Sequence, residues 1–114
     1  MTILKLFEVR DKTGKTVYLS EERLKHILKH PHMPNQIENI QNTLKNPTTI
    51  RYFEEDITVL YFYRDFKHAS ILERYLLVAV KYLNGKGFII TSFFTNRIMG
   101  LQWKTTWIYI MMMK

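Results

Sequence analysis

The sequence predicts an α+β fold in which short N-terminal strands and two helices pack on a four-stranded antiparallel β-meander. Apolar residues recur at helical spacing between residues 20 and 46. From residue 49 to residue 95 the pattern has a period of two and is rich in β-branched and aromatic residues. Because the helical segments come first and the strands follow as one run, we expect both helices on one face of the sheet.

The chain is predicted to form a single domain over residues 1–114. Its 114 residues, 46% of them hydrophobic, are enough for one core and too few for two ordinary ones. The pattern assigns residues 1–19 to N-terminal strands, 20–46 to the helices, 49–95 to the meander and 96–114 to a divergent, methionine-rich tail. The sequence assigns no role to that tail.

The first helix is predicted to begin after Ser20, a good N-cap residue, and to stop at Pro31. Three apolar residues form the stripe that faces the core: Leu24, Ile27 and Leu28. Three basic residues line one edge of that stripe: Arg23, His26 and His30. Side chains at such an edge are partly buried, which allows an imidazole to be held in place and its pKa to be tuned for acid–base chemistry.

The second helix is expected to begin at Pro34, because proline suits the first helical position, and to end at Asn46-Pro47. Four strands separated by polar turns are predicted after it: Thr49–Phe53, Ile57–Tyr63, Arg74–Tyr82 and Phe88–Thr95.

The hairpin at Asn84-Gly85 decides which side chains share a face with Lys81. A two-residue loop would place Lys81 beside Phe88, whereas a loop with an odd number of residues would place it with Thr91 and Thr95. We favour the odd loop, since it buries Phe88 and keeps both threonines out of the core.

The composition indicates a polyanionic partner and no metal site. Seventeen Lys and Arg against ten Asp and Glu give a formal charge of +7, which favours nucleic acid or an acidic protein. There is no cysteine, so disulfides and thiolate catalysis are excluded. His26 and His30 have the spacing to grip one metal ion, with His32 nearby, but no third ligand is evident and the glutamate of an HExxH motif is absent.

The two ends of the sequence predict a cytoplasmic protein without a membrane anchor. The N-terminus lacks the apolar core and cleavage site of a secretory signal. The tail offers seven consecutive apolar residues, far fewer than the roughly 20 that a membrane-spanning helix needs.

Five short patterns follow one another between Val17 and Thr95. They are Ser20-x-Glu22-Arg23-x-x-His26-Ile27 with His30-Pro31, Leu44-x-Asn46-Pro47-x-x-Ile50, Tyr61-Phe62-Tyr63-Arg64, Val78-Ala79-Val80-Lys81 and Ile90-Thr91-Ser92-Phe93-x-Thr95. As an ordered set they resemble the small nucleases of the barnase, EndoU, colicin and RelE-like (BECR) superfamily, in particular its phage-associated branch. The resemblance implies a helical N-terminal part, a four-stranded meander and a metal-independent endoribonuclease without a cofactor, commonly a toxin neutralised by an antitoxin or immunity protein.

RNA cleavage without a metal ion needs a base for the ribose 2′-OH, an acid for the leaving 5′-oxygen and cations for the phosphate. With the resemblance, His26 is assigned as base or acid, Arg23 and Lys81 as phosphate stabilisers, and Tyr63 and Thr91 as hydrogen-bond donors. The expected product is a 2′,3′-cyclic phosphate. Five more residues are assigned to RNA binding: His30, Tyr61, Arg64, Thr95 and Arg97.

Several alternatives stay open from the sequence. His30, which precedes Pro31, suits the closing of a helix C-terminus more than catalysis, but the choice of acid–base residue between His26 and His30 is not decided. The same basic, aromatic sheet would also serve a non-catalytic RNA-binding module. A third alternative is a partner-binding module whose positive surface mates with an acidic antitoxin or immunity protein. Neither the RNA target nor the oligomeric state is predicted.

Overall fold

The computed structural model describes residues 4–67 and 73–102. In chain order its elements are β1 (Lys5–Arg10), β2 (Thr16–Ser20), α1 (Glu21–Ile27), α2 (Ile37–Lys45), β3 (Thr49–Phe53), β4 (Asp56–Asp65), β5 (Tyr75–Leu83), β6 (Lys86–Thr95) and β7 (Leu101–Gln102). The strands form one sheet in the order β1-β2-β6-β5-β4-β3-β7. The predicted fold class is confirmed: two helices accompany a mostly antiparallel sheet whose centre is the predicted meander β3 to β6.

The N-terminal hairpin joins the edge of the meander instead of packing apart from it. β2 pairs in parallel with β6, with Val17 opposite Gly87 and Tyr18 opposite Phe88. A Cβ on Gly87 would come within 2.8 Å of side-chain atoms of Tyr82 and of Val80. Gly87 therefore allows the close approach that this junction of the sheet requires.

The core lies between the helices and one face of the sheet. Its helical contribution comes from Ile27 of α1 and from Ile40 and Leu44 of α2, all buried. One face of β5 supplies the other side, with four buried residues: Leu76, Val78, Val80 and Tyr82. Full burial of each such side chain stabilises the fold by about 1.5–3 kcal/mol relative to exposure.

A buried carboxylate joins the β1–β2 turn to β5. Oδ1 of Asp11 accepts hydrogen bonds from the backbone nitrogens of Thr13 (2.8 Å) and Lys15 (3.1 Å) and from the Thr13 hydroxyl (2.7 Å). Its Oδ2 accepts a hydrogen bond from the Tyr82 hydroxyl. Burial and then the negative charge of Asp11 raise the pKa of Tyr82 well above its ordinary value. The phenol thus stays protonated and donates to the carboxylate.

The helix α1 begins as predicted and ends early. The Ser20 hydroxyl accepts a hydrogen bond from the Arg23 backbone nitrogen at 3.1 Å, so Ser20 is the N-cap. The helix ends at Ile27, and tighter backbone bonds continue to His30, whose nitrogen donates to the Ile27 carbonyl at 3.0 Å. The residue before a proline is pushed out of the helical region, which accounts for the loss of the last predicted turn before Pro31.

The helix α2 begins at Ile37, three residues later than predicted. Asn35 has a φ of 66°, a left-handed conformation that asparagine tolerates and that no helix continues through. Pro34 therefore belongs to the turn before the helix, and Gln36 is the N-cap. Neither described helix is long and apolar enough to cross a membrane.

The β5–β6 hairpin contradicts the predicted loop. Asn84 and Gly85 form a two-residue turn, with φ values of 52° and 80°, so the odd loop is wrong. Both residues take the left-handed conformations that a tight I′ hairpin turn demands. Lys81 accordingly pairs with Phe88, which is half-buried and not in the core.

Farther along β6, a β-bulge brings the threonines back to the side of the sheet on which Lys81 lies, as predicted. Val80 pairs with Ile89, but Ala79 pairs with Thr91, so Ile90 is the extra residue. Beyond this bulge Thr91 lies on the same face as Lys81. The predicted combination of a cation with threonine hydroxyls is therefore present, although a bulge in the strand produces it and not the loop.

Candidate active site

The predicted site residues lie mainly on the sheet face opposite the core, on which neither of the two described helices packs and which we call the helix-free face. Residues paired across neighbouring strands project to the same side. Two rows of paired residues define this face: Arg51, Tyr61, Ala79 and Thr91 in one, and Thr49, Tyr63, Leu77 and Phe93 in the other. Lys81 lies on the same face, next to the first row.

His30 reaches this face from the exit of α1. Its Nε2 lies 3.3 Å from the Thr91 hydroxyl, and its ring lies 5.2 Å from the ring of Phe93, measured between centroids. The ring of His26 meets the ring of His30 edge to face, at a centroid distance of 6.2 Å. We call His26, His30, Thr91 and Phe93 the histidine corner. Of the two histidines between which the sequence left the acid–base role open, His30 is the one in contact with a hydroxyl of the strand surface.

Arg23 and His26 are more exposed than the sequence predicts. Both side chains are open to solvent and line a shallow depression of about 280 Å³ together with Glu22, Lys25 and Lys29. Because α1 has only two turns and buries only Ile27, these two side chains at the edge of its apolar stripe are exposed and not partly buried as predicted. Arg23 therefore lies beside the histidine corner on the helix, where it can attract a phosphate but is not held in a fixed geometry.

Lys81 lies on the predicted face and forms an ion pair. Its Nζ is 2.9 Å from Oδ2 of Asp56, and both side chains are partly exposed. Hydrogen bonds from the Thr58 hydroxyl and from Lys81 lower the pKa of Asp56 to about 2. An exposed pair of this kind stabilises a protein by no more than about 1 kcal/mol, so a phosphate can compete for the lysine.

Tyr63 is more deeply buried than a substrate-binding phenol needs to be. The side chain is 2% exposed, and its hydroxyl accepts a hydrogen bond from the Met99 backbone nitrogen at 3.3 Å. Burial raises the pKa of Tyr63, so the group stays neutral. Tyr61 is half-buried between the rings of Phe53, at 4.9 Å, and Tyr63, at 6.5 Å. Of the two tyrosines, Tyr61 is the one that remains accessible.

The sequence analysis missed Arg51. This residue is in the same row as Thr91, and its Nη1 donates one long hydrogen bond, 3.4 Å, to the Gly100 carbonyl. Its Nε is buried and has no hydrogen-bond partner among the residues that the structure describes, and the same holds for the Thr49 hydroxyl. A guanidinium with unused donors is suited to a phosphate. The alternation of polar Thr49, Arg51 with buried Ile50, Tyr52 is the sequence signal that identifies it.

Three other predicted RNA-binding residues lie at the margin or on the opposite face. Arg64 projects to the helix side, where its Nη1 donates to the Asn46 carbonyl at 2.7 Å and caps the end of α2. The Thr95 hydroxyl accepts a hydrogen bond from the Arg97 backbone nitrogen at 3.2 Å, and the side chain of Arg97 is exposed. The structure therefore does not bring these three residues to the histidine corner.

Within residues 4–67 and 73–102, no group of three or more His, Asp or Glu side chains is placed to hold a metal ion. His32 instead lies 3.1 Å from Oε1 of Glu73 through its Nε2. His68 and most of the predicted tail, from Trp103 onward, lie outside the described residues. The part of the predicted tail that is described includes β7, which pairs with β3.

Comparison with known proteins identifies one family. A family model described as "phage-Barnase-EndoU-ColicinE5/D-RelE like nuclease2" matches residues 4–109. No curated protein matches the chain significantly, and no solved structure does. The family match spans nearly the whole chain, including the histidine corner and every helix and strand that the structure describes. The chain therefore belongs to this family of phage-associated, BECR-like nucleases.

Proposed function

We propose that the protein is a metal-independent endoribonuclease that cleaves RNA through attack of the ribose 2′-OH and leaves a 2′,3′-cyclic phosphate. The observation that carries this proposal is the contact between His30 Nε2 and the Thr91 hydroxyl on the helix-free face. A half-buried imidazole, held by a hydroxyl and an aromatic ring at the margin of a basic surface, is suited to proton transfer at a phosphodiester.

In this proposal His30 takes the proton from the 2′-OH. The 2′-oxygen then attacks phosphorus, the bond from phosphorus to the 5′-oxygen breaks, and the leaving oxygen receives a proton. His26 supplies that proton, since its ring lies 6.2 Å from that of His30. Thr91 orients His30 through the contact between its hydroxyl and the His30 Nε2.

Charge that builds on the phosphate oxygens needs cations. Lys81 lies about 7 Å along β5 from Ala79, which is paired with Thr91. Arg51 lies in the row of Thr91 on the far side of Tyr61 and carries unused donors. Lys81 would bind the phosphate of the cleaved linkage, and Arg51 would bind the RNA chain that continues from it. Arg23 would attract RNA from the helix side.

A cellular role as a cytoplasmic toxin is part of the proposal. The formal charge of +7 favours RNA as the substrate and an acidic antitoxin or immunity protein as the neutralising partner. Toxicity on expression that disappears in a catalytically dead variant would support this role. Toxicity that persists unchanged in that variant would contradict it.

The test is to incubate the purified protein with RNA in EDTA, alongside DNA of the same sequence and RNA carrying 2′-O-methyl groups. Fragments ending in a cyclic phosphate are expected from the unmodified RNA alone, because the other two polymers lack the 2′-OH nucleophile. Salt-dependent binding of RNA that stays intact would overturn the proposal and leave a non-catalytic RNA-binding module. An unchanged rate of RNA cleavage in His30→Ala would overturn the assignment of His30 to the active site.

A further inference from the structure

A second cavity lies on the helix side of the sheet, where α2 meets the ends of β4 and β6. Its volume is about 520 Å³, within the usual range for small-ligand sites. Six of its lining residues carry the argument: Gln36, Asn39, Arg64, Phe66, Lys67 and Phe94. Phe94 pairs with Leu76 of the core face, so the cavity and the histidine corner are on opposite sides of the sheet.

The cavity contains an aromatic pair. The rings of Phe66 and Phe94 meet edge to face, with centroids 5.8 Å apart and planes at 77°. Both side chains are half-buried and pack in part against the core, and the surface that the core leaves uncovered lines the cavity. Nucleobases of single-stranded RNA stack on aromatic side chains of this kind.

Two amide side chains lie beside the aromatic pair. Asn39 Nδ2 donates a hydrogen bond to Gln36 Oε1 at 2.7 Å. This bond uses neither the Nε2 donors of Gln36 nor the Oδ1 acceptor of Asn39. Neither of these two atoms has a hydrogen-bond partner in the part of the chain that the structure describes. A donor and an acceptor side by side complement the edge of a nucleobase, which displays the same two kinds of group.

The charge around the cavity is positive. Lys67 is exposed at its margin, and the Arg64 guanidinium uses Nη1 for the Asn46 carbonyl. The carboxylate of Asp65, which also borders the cavity, is neutralised by two hydrogen bonds from Arg74, at 2.9 and 2.8 Å. A phosphate attached to a base in the cavity would therefore meet cations. This also gives Arg64 a location consistent with RNA binding.

We propose that this cavity binds one unpaired nucleotide of the RNA substrate, outside the linkage that is cleaved. The base lies against the Phe66–Phe94 pair and bonds to the amides of Gln36 and Asn39, and the phosphate lies toward Lys67. This inference rests on the proposed ribonuclease function, since it assigns the same RNA a second point of attachment.

The test is fluorescence anisotropy with labelled 2′-O-methyl oligonucleotides of A, C, G or U, which bind without being cleaved. Asn39→Ala is expected to raise the Kd of the preferred oligonucleotide about fivefold, the equivalent of one net hydrogen bond of about 1 kcal/mol. The matched control is Asn42→Ala, an asparagine of the same helix outside the cavity. Its Kd should equal that of the unmodified protein. Equal Kd values for both variants, or no binding by the unmodified protein, would overturn the proposal.

A second variant tests the stacking. Phe66→Leu keeps apolar volume and removes the aromatic face, so the Kd should rise by about fivefold or more while thermal melting shows a folded protein. An unchanged Kd in folded Phe66→Leu would overturn the base-stacking arrangement.

Parallel cleavage assays separate the two proposals. If the protein binds 2′-O-methyl RNA through the cavity but leaves unmodified RNA intact, the ribonuclease proposal fails and the cavity stands. If it cleaves RNA and Asn39→Ala changes neither affinity nor cleavage pattern, the cavity fails and the ribonuclease stands.

Discussion

Two polar clusters of this protein differ in how completely their groups are hydrogen-bonded. Around Asp11 both carboxylate oxygens accept hydrogen bonds, and the cluster is buried. At the histidine corner His30 makes one 3.3 Å contact with Thr91, and on the same face Arg51 has a buried nitrogen without a described partner. Complete bonding fixes a fold, whereas polar groups with few partners remain able to bond to a substrate that reaches them. Substitutions in the Asp11 cluster should therefore lower the stability of the protein, and substitutions in the histidine corner should lower its activity.

The largest expected effect is on catalysis at the histidine corner. Replacing His30 with alanine should lower the rate of RNA cleavage by about 10²–10⁴-fold, the usual contribution of a general acid or base. His26→Ala should have a smaller effect, because water can supply a proton to the leaving oxygen from the exposed side. His32→Ala is the control, since this histidine pairs with Glu73 and is not part of the corner. Single-turnover cleavage rates measure all three. A His32→Ala loss as large as that of His30→Ala would contradict the assignment.

The reverse pattern is expected at the buried cluster. Asp11→Ala leaves the Tyr82 hydroxyl and the donors of the β1–β2 turn unbonded, so the free energy of unfolding should fall by on the order of 3 kcal/mol. Urea denaturation measures the change, and cleavage per folded molecule should be unaffected. Glu8→Ala removes an exposed carboxylate paired with Lys5 and should leave the free energy of unfolding nearly unchanged. An equal loss in both variants would show that burial of the Asp11 cluster does not matter.

The secondary-structure elements that carry the two clusters were largely predictable from the sequence, whereas the contacts within the clusters were not. The change from helical to alternating pattern predicted the meander, and Ser20 predicted the start of α1. Local pattern could not predict the bulge at Ile90, since its register depends on pairing with β5 across a turn. Nor could it show that an early end of α1 would bring His30 onto Thr91 and leave His26 in solvent.

Arg51 should have an intermediate effect. Arg51→Gln is expected to lower cleavage by at least tenfold and to reduce the dependence of log Kd on log salt by about 1, as loss of one phosphate contact does. The stability of Arg51→Gln should be unchanged or higher, because the substitution removes a charged guanidinium whose Nε is buried without a partner among the described residues. Arg10→Gln, an exposed arginine of β1, is the matched control. If both variants behave alike in cleavage and salt dependence, Arg51 is not a substrate contact.

The smallest effect concerns the ion pair of Lys81 with Asp56. Asp56→Asn should free the lysine and tighten RNA binding by a few-fold, and at neutral pH it should lower the free energy of unfolding by no more than about 1 kcal/mol. The folded-state pKa of Asp56 is lowered to about 2, so its stabilising contribution is present above pH 4 and is lost as the pH falls toward 2. Urea midpoints of the unmodified protein and Asp56→Asn should therefore converge over that interval. A difference that widens on acidification would contradict the pairing.

The most direct test of the catalytic assignment is a double-mutant cycle on His30 and Thr91. Single-turnover cleavage of one RNA is measured for the unmodified protein, His30→Ala, Thr91→Val and the double variant. If Thr91 acts by orienting His30, the double variant should be no slower than His30→Ala alone, because the hydroxyl has nothing left to orient. Losses that multiply, or full activity in His30→Ala, would contradict the claim that these two side chains form one catalytic unit.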